Sequence, residues 1–247
     1  VYPGPQKNSL IQAKRMVDSF GMRLTHIERK LPHDQIVHNL SGREGQAEKI
    51  KSLIRDMGEL GLEVLCYNWM PSEDWCRTTK SNPERGGSYT TGFDDLAGQR
   101  TVTDADGAPE IKTSANELWA NLEWFLEQVL PVAEEAKVKL AIHPDDPPLP
   151  KFWGNEQIIT SAEAMERVTA LVPSPSNGIC FCTGSLGPTG EDLVSSVRSL
   201  KEHIHFVHLR NTIGDANSFR ETWHDNGDLD LAAIVNALKD IGYDGTI

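Results

Sequence analysis

The stretch Val138–Pro148, VKLAIHPDDPP, decides the fold. Its first half is an apolar run of strand length. Its second half holds a histidine, two aspartates and three prolines, residues that end a strand rather than extend it. A strand apolar on both faces belongs in the middle of a parallel sheet covered by helices. In such folds the groups that do chemistry gather where the strands end.

Working outward, the same pattern recurs in MRLTHIE (22–28), LEVLCY (62–67), GICFC (178–182) and IHFVHL (204–209), with a further strand beginning at GTI (245–247). Segments of helical period lie between them, at 9–20, 45–59, 190–202 and 229–241. Ser114 with Glu117, and Thr160 with Glu163, have capping-box spacing. Gly21, Gly61 and Gly242 stand where helices should end. This alternation predicts an α/β fold of the (β/α)8 TIM-barrel type, incomplete in this chain, with about five to six βα units. Residues 1–247 read as a single partial-barrel domain. The one long irregular stretch, about 71–113, reads as a lid, because Trp75, Tyr89 and Phe93 give it something to pack.

Lys and Arg total 24 against 36 Asp and Glu, a net charge of −12 that repels nucleic acid and anionic membrane surfaces. No apolar run reaches the roughly 18 to 20 residues of a spanning helix, and VYPGPQKNSL lacks the pattern of a signal peptide. The four cysteines, Cys66, Cys76, Cys180 and Cys182, are too scattered for a disulfide framework, which points to the cytoplasm.

Alternate residues of a strand face opposite sides. On IHFVHLRN, His208 shares a face with Phe206 and Arg210, while His205 is expected to point the other way. Cys180 and Cys182 share a face, and Cys182 is nearer the strand end. His143 ends its own strand. One histidine, one cysteine and one histidine can thus end three successive strands on one rim, a donor set that suits a divalent metal. The glycine-rich CTGSLGPTG fits no phosphate-binding fingerprint and reads as a flexible rim.

Five blocks, CYNWMPSEDWCRT (66–78), KLAIHPDDPP (139–148), GICFCTGSLG (178–187), IHFVHLRN (204–211) and HDNGDLDL (224–231), together resemble the mannonate dehydratase family of xylose-isomerase-like barrels. The resemblance implies a manganese- or iron-dependent lyase, Mn2+ or Fe2+, that dehydrates D-mannonate to 2-keto-3-deoxy-D-gluconate in hexuronate catabolism. It carries His143, Cys182 and His208 over as metal ligands. It also implies a fourth ligand, an aspartate in an R-P-D-H block, with a proton-transfer histidine and a tyrosine, all expected beyond Ile247. About two strands of the family's barrel are expected before residue 9.

Arg210 could pair with the substrate carboxylate, or form an ion pair with a strand-end aspartate such as Asp145. Asn68, His33, Arg77, Ser185 and Asn211 are weaker hydroxyl-contact candidates. Asp145 and Asp146 are expected to orient His143 through hydrogen bonds. The other functions open at this point are a metal-dependent sugar isomerase or epimerase on the same barrel and a non-catalytic fragment of the dehydratase. Exposed strand edges of an incomplete barrel invite pairing, so a homo-oligomer, a dimer, is expected.

Overall fold

The computed structural model describes residues 7–71, 75–96 and 111–247. Its strands are β1 (His26–Glu28), β2 (Val64–Tyr67), β3 (Thr79–Pro83), β4 (Tyr89–Asp94), β5 (Lys139–Ile142), β6 (Lys151–Phe152), β7 (Asn155–Glu156), β8 (Asn177–Cys182), β9 (Ile204–His208), β10 (Asn211–Asp215) and β11 (Ser218–Thr222). Five of them form one parallel sheet in the order β1-β2-β5-β8-β9. This is the α/β arrangement of part of a (β/α)8 barrel.

Both faces of this sheet are apolar, as VKLAIH requires. Leu65, Tyr67, Leu140, Ile142, Ile179 and Phe181 face outward into the main core, where the helix Ala115–Ala136 lays down Leu118, Leu122, Phe125, Leu126 and Val129. The inward residues Val64, Cys66, Ala141 and Cys180 make a separate cluster with Phe206. The sheet curls far enough for its outer strands to meet, with the rings of His26 on β1 and Phe206 on β9 4.8 Å apart. The expected strand at GTI is reduced to one ladder-like bond, from Val207 N–H to the Thr246 carbonyl (3.3 Å).

Helix ends follow local chemistry. Ser114 and Glu117 form the full capping box of the helix Ala115–Ala136. The next cap is Ser161, whose hydroxyl accepts from Ala164 N–H, and not Thr160 as the spacing suggested. Gly21, Gly61 and Gly242 all take positive φ after their helices.

The stretch 71–113 is not irregular throughout. β3 and β4 pair within it, and β10 and β11 extend them to an antiparallel sheet in the order β10-β11-β4-β3. Of the three aromatics, Phe93 packs, against Phe152 and Phe219. Trp75 and Tyr89 are 44% and 68% exposed. Residues 72–74 and 97–110 lie outside the described residues.

His205 corrects the alternation argument. Pairing jumps from Ile179↔Ile204 to Cys180↔Phe206, so β9 carries one extra residue there, a bulge. The extra residue turns His205 to the inner face, where its ring takes the space a side chain on Gly178 would need. Its Nδ1–H donates to the Leu140 carbonyl (2.8 Å), and burial pushes its pKa down to about 4.

Its folded pKa lies below its unfolded value of 6.5, so its contribution is intact above pH 6.5 and is lost as pH falls towards 4. Over that window wild-type stability should fall by about 3 kcal/mol from this group. Urea unfolding across pH 4 to 7 checks this, because His205→Gln keeps a donor for Leu140 but should remove that part of the pH dependence.

Candidate metal centre

β5, β8 and β9 are neighbours, and each ends on a donor. Cys182 pairs directly with His208 in the ladder, and the register of β5 with β8 brings His143 beside Cys180. The rings of His143 and His208 are 5.1 Å apart. Nδ1 of His143 lies 2.6 Å from the Pro144 carbonyl. A carbonyl can only accept, so Nδ1 keeps its proton, and Nε2 is the nitrogen that would turn to a cation once its own proton is displaced.

Two sulfurs stand beside this pair. Cys180 Sγ lies with a nitrogen of each ring in a group whose atoms are all within 4.8 Å of one another. Cys182 Sγ is in hydrogen-bond contact with both rings and accepts from Ser185 Oγ (3.4 Å).

Charge separates the two sulfurs. Burial raises the pKa of both, but at Cys182 the positive charges of Arg210 and His143 outweigh it and hold the thiol well below its usual range. At Cys180 burial is reinforced by the Cys66 thiol, and the group stays protonated. A metal takes a thiolate, so charge favours Cys182 while the close cluster of donor atoms holds Cys180. At His143, burial opposes the charge, and the Cys182 thiolate outweighs it and lifts the ring to about 10. Two imidazoles and one thiolate fit a first-row divalent ion.

Above the three donors lies a charge network. Arg77, whose side chain is 0% exposed, grips both oxygens of Asp146 (2.7 and 3.0 Å) and reaches Glu221 (2.7 Å). Arg210 donates to Asp146 (2.6 Å) and Ser185 (3.1 Å) and faces Glu221 at 3.3 Å. Gly184 permits this, since any side chain there would meet the Arg210 guanidinium stem. Burial pushes the Asp146 carboxyl up, but Arg210 and Arg77 outweigh it and hold it at about 2.

These contacts sort the sequence candidates. Arg210 takes the ion-pair role, with Asp146 rather than Asp145. Arg77 and Ser185 are committed to the same network. Asn211 spends its amide on His224, Leu229 and Thr212. His33 is buried, with Nε2 against the Asn68 carbonyl. Asp145 accepts from Ile159 N–H, and burial lifts it to about 7. Neither aspartate hydrogen-bonds the ring of His143, whose Nδ1 is held by Pro144. Their effect on it is electrostatic.

The donors open on a cavity of about 620 Å³ whose lining includes Asn68, Trp75, His143, His208 and Arg210. Glu28, Arg29 and Lys30 line it too, and sequence reasoning passed over them as site residues. Their signal was their place at the carboxyl end of β1. Glu28 Oε2 stands 3.4 Å from Nε2 of His208.

The family profile described as D-mannonate dehydratase (UxuA) matches residues 5–247. A mannonate dehydratase of Streptococcus suis strain 05ZYH33 is 38% identical over 264 residues, which span 97% of this chain and 72% of that protein. The crystal structure of mannonate dehydratase from Streptococcus suis serotype 2 superposes with a TM-score of 0.87 at 35% identity, over 99% of this chain and 72% of that one. A xylose isomerase domain protein from Planctomyces limnophilus shares the fold, with a TM-score of 0.61 at 14% identity, over 98% of this chain and 74% of that one.

Proposed function

The chain belongs to the D-mannonate dehydratase (UxuA) family of hydro-lyases, and we propose that it converts D-mannonate to 2-keto-3-deoxy-D-gluconate with Mn2+ or Fe2+ held by His143, Cys182 and His208. The observation that carries the ligand set is the meeting of two imidazoles with a charge-stabilised thiolate at the mouth of the sheet.

Dehydration removes the C2 proton and expels the C3 hydroxyl. A proton alpha to a carboxylate is a very weak acid, so the bound ion would supply Lewis-acid stabilisation of the charge that develops on that carboxylate. The protein's part is to hold and orient. The Pro144 carbonyl fixes the tautomer of His143. The Glu28 carboxylate faces the ring of His208. Asn68, whose side-chain oxygen is buried and has no hydrogen-bond partner among the described residues, offers an acceptor to a substrate hydroxyl. Trp75, over the Arg77 guanidinium, closes part of the cavity to water.

Among the described residues no helix is long and apolar enough to cross a membrane. A cytoplasmic dimer is the setting we propose, with the described part of the stretch about 71–113, led by Trp75, acting as a lid at the cavity. Incubation with D-mannonate and Mn2+ or Fe2+ tests the activity. Formation of a 2-keto-3-deoxy acid supports it, and redistribution among sugar isomers without dehydration rejects it in favour of an isomerase.

A further inference from the structure

A sugar acid brings a carboxylate into the cavity, and the cavity offers it three cationic side chains, Arg29, Lys30 and Arg210. Arg210 is already answered by Asp146 and Glu221, and its NH2 group is spent on Asp146 and Ser185. Arg29 is different. Its only side-chain hydrogen bond among the described residues runs from Nε–H to the Lys30 carbonyl (3.2 Å), and none of their carboxylates forms an ion pair with it. Its terminal NH2 groups are thus left for a ligand. The side chain is half-buried, and that burial pulls its pKa below the usual arginine value with nothing to offset it. A partly desolvated guanidinium without a counter-ion is costly, and a carboxylate ligand removes the cost while pairing in the planar two-point geometry that lysine lacks.

Position agrees with charge. Arg29 lines the same cavity as both imidazoles and as Glu28, which reaches His208. Asn68 lines the same space with an unpartnered acceptor. Together they offer a cation for an acid group and an oxygen for a hydroxyl, the two ends of a polyhydroxy acid.

We propose that Arg29 binds the substrate carboxylate and is the residue by which the cavity prefers aldonates to neutral polyols. This rests on the dehydratase reading of the site. The test uses the full chain loaded with Mn2+ and compares Arg29→Gln and Arg29→Lys with the wild type. Readouts are KM and kcat for D-mannonate, bound metal, and the relative affinity for D-mannonate and D-mannitol.

For Arg29→Gln the preference for D-mannonate over D-mannitol should fall about 100-fold, as losing two charged hydrogen bonds implies. The loss should appear mainly in KM, with metal content unchanged and Arg29→Lys intermediate. An Arg29→Gln protein that keeps the wild-type preference and KM overturns the proposal, as does one that loses D-mannitol binding equally. Failure of the dehydratase reading looks different: the wild type itself then neither binds nor turns over D-mannonate, before any substitution is made.

Discussion

Cys182→Ala should strip the divalent ion and lower kcat/KM for D-mannonate by at least about 10³-fold, whereas Cys180→Ala should keep both near wild type. Both sulfurs stand near the imidazoles, and the cluster of donor atoms within 4.8 Å of one another holds Cys180, so distance alone favours Cys180. The choice rests on which can lose its proton. Cys182 has the positive charges of Arg210 and His143 beside it, while Cys180 has a second buried thiol, Cys66. Metal analysis of the purified variants, followed by initial rates with added Mn2+, separates the two. Loss of metal in Cys180→Ala with retention in Cys182→Ala would reverse the assignment.

Asp146→Ala should cost about 4 kcal/mol of stability, because it leaves Arg77 buried opposite too few negative charges. In the wild type two arginines, Arg77 and Arg210, meet two carboxylates, Asp146 and Glu221, and the group is neutral. Removing Asp146 leaves one positive charge in excess where the Arg77 side chain has no exposure to water. For a chain of this size the melting temperature should drop by about 10 °C. Urea unfolding in the presence of a chelator measures the effect without any contribution from bound metal. The double variant Arg77→Met with Asp146→Leu should recover more than half of the loss, since it restores charge balance with apolar packing. A loss below about 1 kcal/mol in the single variant would show that the buried pair is dispensable.

The parallel sheet was legible because each of its strands is an apolar run closed by polar residues, and so was the gathering of His143, His208 and the two cysteines of β8 at one rim, because three neighbouring strands end there. What escaped has physical causes. The bulge before Phe206 inserts a residue that simple alternation cannot anticipate, so His205 was assigned to the wrong face. β3 and β4 are mostly polar, and β4 pairs with β11, more than a hundred positions along the chain, so their stretch read as loop. Arg77 looked like a substrate contact, and Arg210 stood open between the substrate and a strand-end aspartate, because a lone arginine in a sequence does not announce its counter-ions. Arg29 was passed over for the converse reason, since only the folded cavity shows that it has none among the described residues.

The charge network also has a kinetic side. Arg77 must find Asp146 69 positions away and Glu221 144 positions away, and Arg210 must find Asp146 64 positions back. Contacts of such separation carry loop-closure entropy that shorter-range pairings must first repay, and they slow folding. The two links to Asp146 span no more chain than the pairing of Val64 with Lys139 inside the parallel sheet, whereas the link from Arg77 to Glu221 spans about twice as much and should be the slowest of these contacts to form.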